Sequence, residues 1–185
     1  MADDAAETSA PLGMWVFLAS EIMMFGALFM ALAVTRWADT AGWVQGSTRL
    51  HLWMGTANTA VLLASSGVVA MAVVAVHRGR RREAAWELGV AALLGVVFLA
   101  IKGTEWVLEW QDGLMLPQAA ALRPFFEFYF LATGLHAFHL TCGVALVAAL
   151  ALRRSGEAAV RLGGLYWHFV DVVWIFLFPI LYLAR

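Results

Sequence analysis

The sequence predicts an all-α fold, a polytopic bundle of five transmembrane helices. Of the 185 residues, 63% are hydrophobic and only 14% are charged, whereas charged residues make up about 25% of a soluble domain. In addition, five stretches reach the roughly 17–25 residues that a helix needs to cross a bilayer. They run over residues 12–34, 54–76, 86–108, 125–152 and 166–183. We therefore divide the chain into an acidic N-terminal tail, 1–11, and a five-helix transmembrane domain, 12–185.

Charge and cysteine content exclude several classes of function. The formal net charge is −1, so nothing indicates a nucleic-acid partner. Cys142 is the sole cysteine, which excludes an internal disulfide and any metal site with two cysteine ligands. The tail lacks the basic region of a signal peptide, and no internal repeat supports an inverted-repeat transporter.

The first segment places a carboxyl group inside the membrane. Glu21 lies nine residues into this segment, roughly 13 Å deep at 1.5 Å per residue. A carboxyl at that depth is expected to be neutral or paired. From the residues alone, Glu21 is interpreted equally well as a proton-exchanging or lipid-contacting acid and as a structural carboxyl bonded to a neighbouring helix.

The second segment has the residues of a packing helix. Asn58 and Thr59 are followed by Ser65, Ser66 and Gly67. Small and hydroxylated residues allow helices to approach closely, and asparagine supplies interhelical hydrogen bonds. We therefore predict that these residues serve helix packing.

The third segment carries a pair of opposite charges. Lys102 and Glu105 are three residues apart, so their side chains share a helix face and can neutralise each other. Such an ion pair is as readily structural as functional. Glu109 and Asp112 follow at the outer end of the segment, where we expect both to contact solvent.

The fourth segment contains two histidines that share a helix face, His136 and His139. Histidine is a common metal ligand, but a metal site needs three or four ligands in a defined geometry. The plausible additional ligands are Glu127, Cys142 and His168, and no spacing supports them. The sequence therefore disfavours a metal or haem site in this chain.

The fifth segment is apolar enough to span a membrane, yet it contains His168 and Asp171. A charge at the centre of a transmembrane helix costs about 2.5–3.5 kcal/mol on insertion scales, so such residues normally face other protein. The two are three residues apart and share a face, while Trp167 and Trp174 form a second stripe. Taken alone, the polar pair is most simply interpreted as fixing helix packing.

Arginine and tryptophan positions predict the orientation of the bundle. The two loops on one side carry seven arginines, against four on the other side. The positive-inside bias therefore places the N-terminus in the cytoplasm and the C-terminus outside, and tryptophans near both faces are interpreted as interfacial belts. The seven arginines are Arg78, Arg80, Arg81, Arg82, Arg153, Arg154 and Arg161; the belts are Trp37, Trp43, Trp53, Trp106 and Trp110 outside and Trp86 and Trp167 inside.

Motifs in every segment together resemble subunit III of the haem-copper respiratory oxidases. The nine residues Tyr166-Trp167-His168-Phe169-Val170-Asp171-Val172-Val173-Trp174 closely resemble the motif of that family's last helix. The remaining matches are Gly13-x-Trp15-x-Phe17-Leu18-x-Ser20-Glu21, Asn58-Thr59 with the string 62–67, Lys102-x-x-Glu105-Trp106, and Thr133-Gly134-x-His136-x-x-His139. The resemblance runs from Gly13 to Tyr182 and is to a short five-helix form, without the first two helices of seven-helix members.

The resemblance implies a non-catalytic subunit of the bacterial inner membrane. Its partner, the catalytic subunit I, would hold the haem and copper, and a cleft would hold phospholipid. The chain itself is expected to hold no cofactor, because five histidines and one cysteine are too few for two haems and the copper centres. The resemblance also implies a set of functional intramembrane polar residues: Glu21 as a carbodiimide-reactive acid, with Lys102, Glu105, His136, His139, His168 and Asp171.

Three alternatives stay open at this point. Accessory proteins of nitric-oxide reductases also have five helices and often finish with a tail similar to residues 177–183, Leu-Phe-Pro-Ile-Leu-Tyr-Leu; the partner would then be the reductase catalytic subunit. A quinol-oxidase subunit III has the same fold. An autonomous proton carrier would use a relay of Glu21, Lys102, Glu105, His136 and Asp171, but the family resemblance explains the same residues.

Overall fold

The computed structural model describes residues 2–112 and 122–184, with side chains from residue 12 onward. All regular secondary structure in these ranges is helical, which confirms the predicted all-α class. Within the described residues, five helices are long and apolar enough to cross a membrane, the span within the first being Leu12–Ala38. The acidic side chains of the predicted tail and the terminal arginine lie outside the described residues. The helices are α1 (Ala2–Ala38), α2 (Thr40–Arg49), α3 (Leu52–His77), α4 (Arg81–Gln111), α5 (Arg123–Arg153) and α6 (Glu157–Tyr182).

The helices extend beyond the apolar stretches that predicted them. The largest difference is at α6, which begins at Glu157 rather than near residue 166. Hydropathy marks only the part of a helix that contacts hydrocarbon, whereas arginine and glutamate are good helix formers and continue the helix into the interface. Of the arginines predicted in the two loops, four are therefore helical: Arg81, Arg82, Arg153 and Arg161.

The short helix α2 was not predicted. It contains polar residues and is too short to span a membrane, so no hydropathy signal marks it. Asp39 begins the helix, because its side chain accepts a hydrogen bond from the Gly42 amide at 2.9 Å, the usual role of an N-cap aspartate. Trp43 is buried and donates to the Ile180 carbonyl at 3.2 Å. Its assignment to the outer belt is therefore wrong.

Four helices form the body of the bundle. Helices α3, α4, α5 and α6 pack in a ring in which α6 closes back on α3, while α1 makes lighter contacts with α5 and α6.

Trp167 and Trp174 of α6 are fully buried in this ring. The predicted tryptophan stripe is thus part of the core, and assigning Trp167 to the inner belt was wrong. A Cβ at Gly95 would lie 2.9 Å from the Trp167 ring, so the indole requires glycine there. The exposed tryptophans that fit a belt are Trp37, Trp53, Trp86 and Trp110.

Both arginine-rich connections lie at one end of the bundle. His77, the last residue of α3, contacts the Glu157 side chain at the start of α6, with 2.8 Å between Nδ1 and Oε1. The α3–α4 and α5–α6 connections are therefore neighbours, as the alternation of spans predicts. The connection that carries α2 lies at the opposite end.

Candidate functional site

A buried polar cluster surrounds Lys102 in the half of the bundle near α2. The Lys102 ammonium donates to Glu105 Oε2 at 2.9 Å, to the Tyr129 hydroxyl at 2.9 Å, and to the Tyr182 hydroxyl. The Tyr182 hydroxyl in turn donates to Glu105 Oε1 at 2.8 Å. Both charged side chains are almost completely shielded from solvent, with Lys102 1% and Glu105 0% exposed. The ion pair predicted from the spacing is confirmed, and three helices contribute to it.

Aromatic rings complete the environment of the Lys102 ammonium. The nitrogen lies 4.8 Å from the centre of the Tyr129 ring, 5.2 Å from that of Trp174 and 5.0 Å from that of Tyr182. Cations are attracted to such ring faces, most strongly when desolvated. Sequence reasoning missed both tyrosines, because they lie on α5 and at the end of α6. The signal available in the sequence was a tyrosine inside each of two predicted spans, because a phenol hydroxyl in a bundle core requires a hydrogen-bond partner.

Glu109 belongs to this cluster rather than to the solvent. It lies four residues after Glu105 and is completely buried, so the expectation of solvent contact was wrong. Because α4 continues as far as Gln111, the spacing of Lys102, Glu105 and Glu109 keeps all three on the inward face. Neither oxygen of the Glu109 carboxyl has a hydrogen-bond partner among the described residues. Asp112, at the end of the helix, is exposed as expected.

The carboxyl of Glu21 has a partner on a neighbouring helix. Its Oε2 lies 3.0 Å from His139 Nε2, and the two side chains are 14% and 10% exposed. His139 Nδ1 lies 2.8 Å from the Leu135 carbonyl, which only accepts, so Nδ1 donates there. The Nε2 atom of a neutral imidazole is then an acceptor. One proton therefore lies between the two groups, and the pair is neutral overall whichever group holds it.

The two histidines of α5 do not converge on a common site. His139 contacts Glu21, whereas His136 is buried between the rings of Phe98 and Trp174, with centroids 5.6 and 5.1 Å away. Neither ring nitrogen of His136 has a hydrogen-bond partner within residues 12–112 and 122–184. The side chains that the structure describes include no group of three histidines, cysteines or acids suited to a metal ion. Glu127 instead contacts Arg123 at 2.7 Å, and Cys142 is exposed.

The seam between α3 and α6 holds a second series of polar contacts. Ser66 Oγ lies 2.8 Å from His168 Nδ1, and the Trp167 indole donates to Ser65 at 3.2 Å. The Trp174 indole donates to Thr59 at 3.0 Å. His168 and Asp171 share a face as predicted, with 3.9 Å between Nδ1 and Oδ2, which is too long for a hydrogen bond.

Asn58 is the exception among the predicted packing residues of α3. It is completely buried, but neither atom of its amide bonds to another described side chain or backbone group. The expected interhelical hydrogen bond from this asparagine is therefore not formed. The hydroxyl groups on α3 make the contacts with α6 instead.

This combination of helices and motifs can be compared with known families. A model of the family described as "Cytochrome c oxidase subunit III" matches residues 3–184. The chain belongs to the cytochrome c oxidase subunit III family. Cytochrome c oxidase subunit 3 of Thermostichus vulcanus is 33% identical, over 93% of this chain and 86% of that one. Quinol oxidase subunit 3 of Bacillus subtilis is 31% identical, over 93% and 85%.

A third relative bears on the partner of a subunit III. Heme-copper oxidase subunit I+III of Aeropyrum pernix is 29% identical over 92% of this chain, which covers 22% of the longer protein. Subunit III of haem-copper oxidases thus pairs with subunit I. As a subunit III, the chain is a multi-pass membrane protein that is not itself the catalytic subunit. The functional roles of the intramembrane residues from Glu21 to Asp171 stay predictions.

Proposed function

We propose that the chain is the subunit III of a cytochrome c-type haem-copper oxidase, which supports the catalytic subunit, its bound lipids and its proton uptake. The observation that carries this proposal is the family match across residues 3–184. The contacts of the charged groups agree with a supporting role, because Lys102 and Glu21 both meet partners on other helices of the chain. Haem and copper are expected in the catalytic partner.

A quinol oxidase is the second candidate complex. The Bacillus subtilis relative, 31% identical, favours it almost as strongly as the Thermostichus vulcanus relative favours the cytochrome c type. Supplying the purified complex with either reduced cytochrome c or a quinol, and measuring oxygen consumption, distinguishes the two. The nitric-oxide reductase alternative, based on the sequence of residues 177–183, gains no support from the relatives described above.

The lipid part of the proposal rests on a groove between α1 and α6. Its volume is about 410 Å³, and its lining is apolar. Because hydrocarbon chains fill apolar grooves without any need for hydrogen bonds, we expect a phospholipid acyl chain to occupy it. The lining includes Ile22, Phe25, Phe29, Phe169 and Phe176.

Affinity purification in a mild detergent tests the proposed function and the expected lack of a cofactor. The tagged chain should copurify with a larger membrane subunit, and the complex should show haem absorbance. After the chain is separated and washed with a chelator, it should show neither a Soret band nor stoichiometric copper or iron. A Soret band or metal retained by the washed chain contradicts the cofactor prediction, and a complex without haem contradicts the proposed function.

Thiol labelling tests the proposed orientation in the bacterial inner membrane, with the N-terminus in the cytoplasm and the C-terminus outside. Two near-isosteric variants, Ser155→Cys between α5 and α6 and Thr48→Cys on α2, are introduced with Cys142→Ser. An impermeant maleimide applied to spheroplasts should label position 48 and leave position 155 unlabelled until the membrane is permeabilised. The reverse pattern would overturn the orientation.

A further inference from the structure

His168 opens onto the surface of the bundle near the middle of α6, level with Ser66 near the middle of α3. It lies eleven residues into α6, roughly 17 Å along a helix that rises 1.5 Å per residue. Its side chain is 39% exposed, in contrast to the 4% of Asp171 behind it. No other histidine of the spans is as open at this depth, since His136 and His139 are buried.

One side of the His168 ring is held and the other is not. Nδ1 lies 2.8 Å from Ser66 Oγ and 3.9 Å from Asp171. Ser66 therefore holds the ring on the α3–α6 seam from its inner side, while Asp171 lies behind it without a hydrogen bond among the described residues. The Nε2 atom, at the far side of the ring, forms no hydrogen bond within the described residues.

Hydrocarbon is a poor neighbour for an open imidazole nitrogen. Acyl chains neither donate nor accept hydrogen bonds, so polar groups at this depth normally face protein or a water-filled cavity. The α1–α6 groove differs in this respect, because its lining is apolar. The seam around His168 therefore has the chemistry of a protein contact, whereas the groove suits lipid.

The surface beside His168 allows a helix to approach closely. Leu63, one turn before Ser66, and Ile175, two turns after His168, are both half-exposed and lie on the same side as the histidine. Between the leucine and the end of α3, the exposed positions include Gly67 and Ala70. A Cβ at Gly67 would meet no atom within 4 Å, so no described side chain covers the backbone there. Small residues at membrane helix interfaces let backbones come together.

We propose that the α3–α6 face, defined by Leu63, Ser66, Gly67, His168 and Ile175, is the surface on which a transmembrane helix of the catalytic subunit docks, with a polar side chain hydrogen-bonded to His168 Nε2. This inference rests on the proposed function, since it requires a catalytic membrane partner. The Aeropyrum pernix relative supports that partner, because its name joins subunits I and III in one protein, and the two parts of one protein lie in the same membrane. The docked helix would cover the open imidazole that lipid leaves unbonded.

Photocrosslinking in native membranes tests the position of this surface. A benzophenone amino acid replaces Leu63 or Ile175 on the proposed face, and Leu93 of α4 or Phe138 of α5 as matched exposed controls. After irradiation, the first two positions should give adducts with the catalytic subunit, and the controls should give none. Adducts with phospholipid alone from Leu63 and Ile175, or protein adducts from the controls alone, would overturn the proposal.

The same membranes separate failure of this inference from failure of the proposed function. If the catalytic subunit copurifies with the chain but crosslinks only from α4 or α5, the docking surface is wrong and the subunit function stands. If no haem-containing subunit copurifies and no position gives a protein adduct, both proposals fail.

Variants of His168 test the hydrogen bond itself. His168→Leu removes both ring nitrogens, while His168→Gln keeps a polar nitrogen near the position of Nε2. Retention of the chain on the catalytic subunit during a detergent wash should fall roughly three- to twentyfold in the leucine variant, the range of single interhelical hydrogen bonds in membranes, and largely recover in the glutamine variant. Ser66→Ala removes only the internal bond and should retain the partner better than His168→Leu. Equal losses in the two would show that His168 serves packing within the chain.

Discussion

Lys102→Met should nearly abolish accumulation of the folded subunit. The substitution leaves Glu105 completely buried without the ammonium that neutralises it. Breaking a buried ion pair by removing one partner typically costs about 3–5 kcal/mol, a large part of the roughly 5–15 kcal/mol by which proteins are stable. The hydroxyls of Tyr129 and Tyr182 also lose their donor. The measurement is the amount of chain in membranes and its thermal denaturation in detergent.

Two controls separate the charge effect from general damage. The double variant Lys102→Met with Glu105→Gln removes both charges and should recover much of the lost protein, because two neutral groups avoid the buried charge. Arg123→Met breaks a largely exposed pair with Glu127 and should change stability by at most about 1 kcal/mol. If Lys102→Met is as stable as the parent protein, the cluster does not hold α4, α5 and α6 together.

Glu21→Gln should remove carbodiimide labelling of this subunit while leaving the complex assembled. The side chain is largely buried and bonded to His139, and carbodiimides react with protonated carboxyls. A glutamine amide can donate to His139 Nε2 in place of the shared proton, so the contact between α1 and α5 survives. Because the chain is a non-catalytic subunit, oxygen consumption should begin near the normal rate.

The measurement combines labelled carbodiimide with initial turnover of the purified complex. Glu127→Gln, at an exposed position, is the matched control and should retain full labelling of the subunit. Loss of the whole subunit should harm turnover more than Glu21→Gln, through lost support and lipid. Equal labelling of both variants would show that Glu21 is not the reactive acid. Immediate total loss of activity in an assembled Glu21→Gln complex would contradict the supporting role.

The Lys102 cluster illustrates how far the sequence reaches into the candidate site. The Lys102–Glu105 pair lies three residues apart on one helix, and helical geometry alone brings such side chains together. Tyr129 and Tyr182 are 27 and 80 residues from Lys102 along the chain. No spacing predicts such contacts, because they depend on how three helices rotate and cross. Glu21 and His139 are likewise 118 residues apart along the chain, so no spacing predicts their contact either.

The prediction of the membrane fold rested on hydropathy. Hydropathy did not predict where the helices end, and it did not predict the short polar helix α2. Burial of about 20 apolar residues is a property of the local sequence, so the five spans follow from it. Helix α2 depends on the Asp39 cap and on the pocket that Trp43 enters beside Phe125. Glu109 was predicted to contact solvent because the end of the apolar stretch was taken as the membrane surface. In the structure α4 continues to Gln111, and Glu109 lies on its inward face.

The sequence by itself determined the number of spans, the subunit III family motifs and the polar side chains that share a helix face. Each follows from composition or from the 3.6-residue repeat, which act along one segment at a time. Only the tertiary structure decided that Glu21 meets His139, that Trp167 is core rather than belt, and that His168 opens outward while His136 does not. Those outcomes depend on the rotation of each helix in the bundle, which is set by the packing of all its neighbours together.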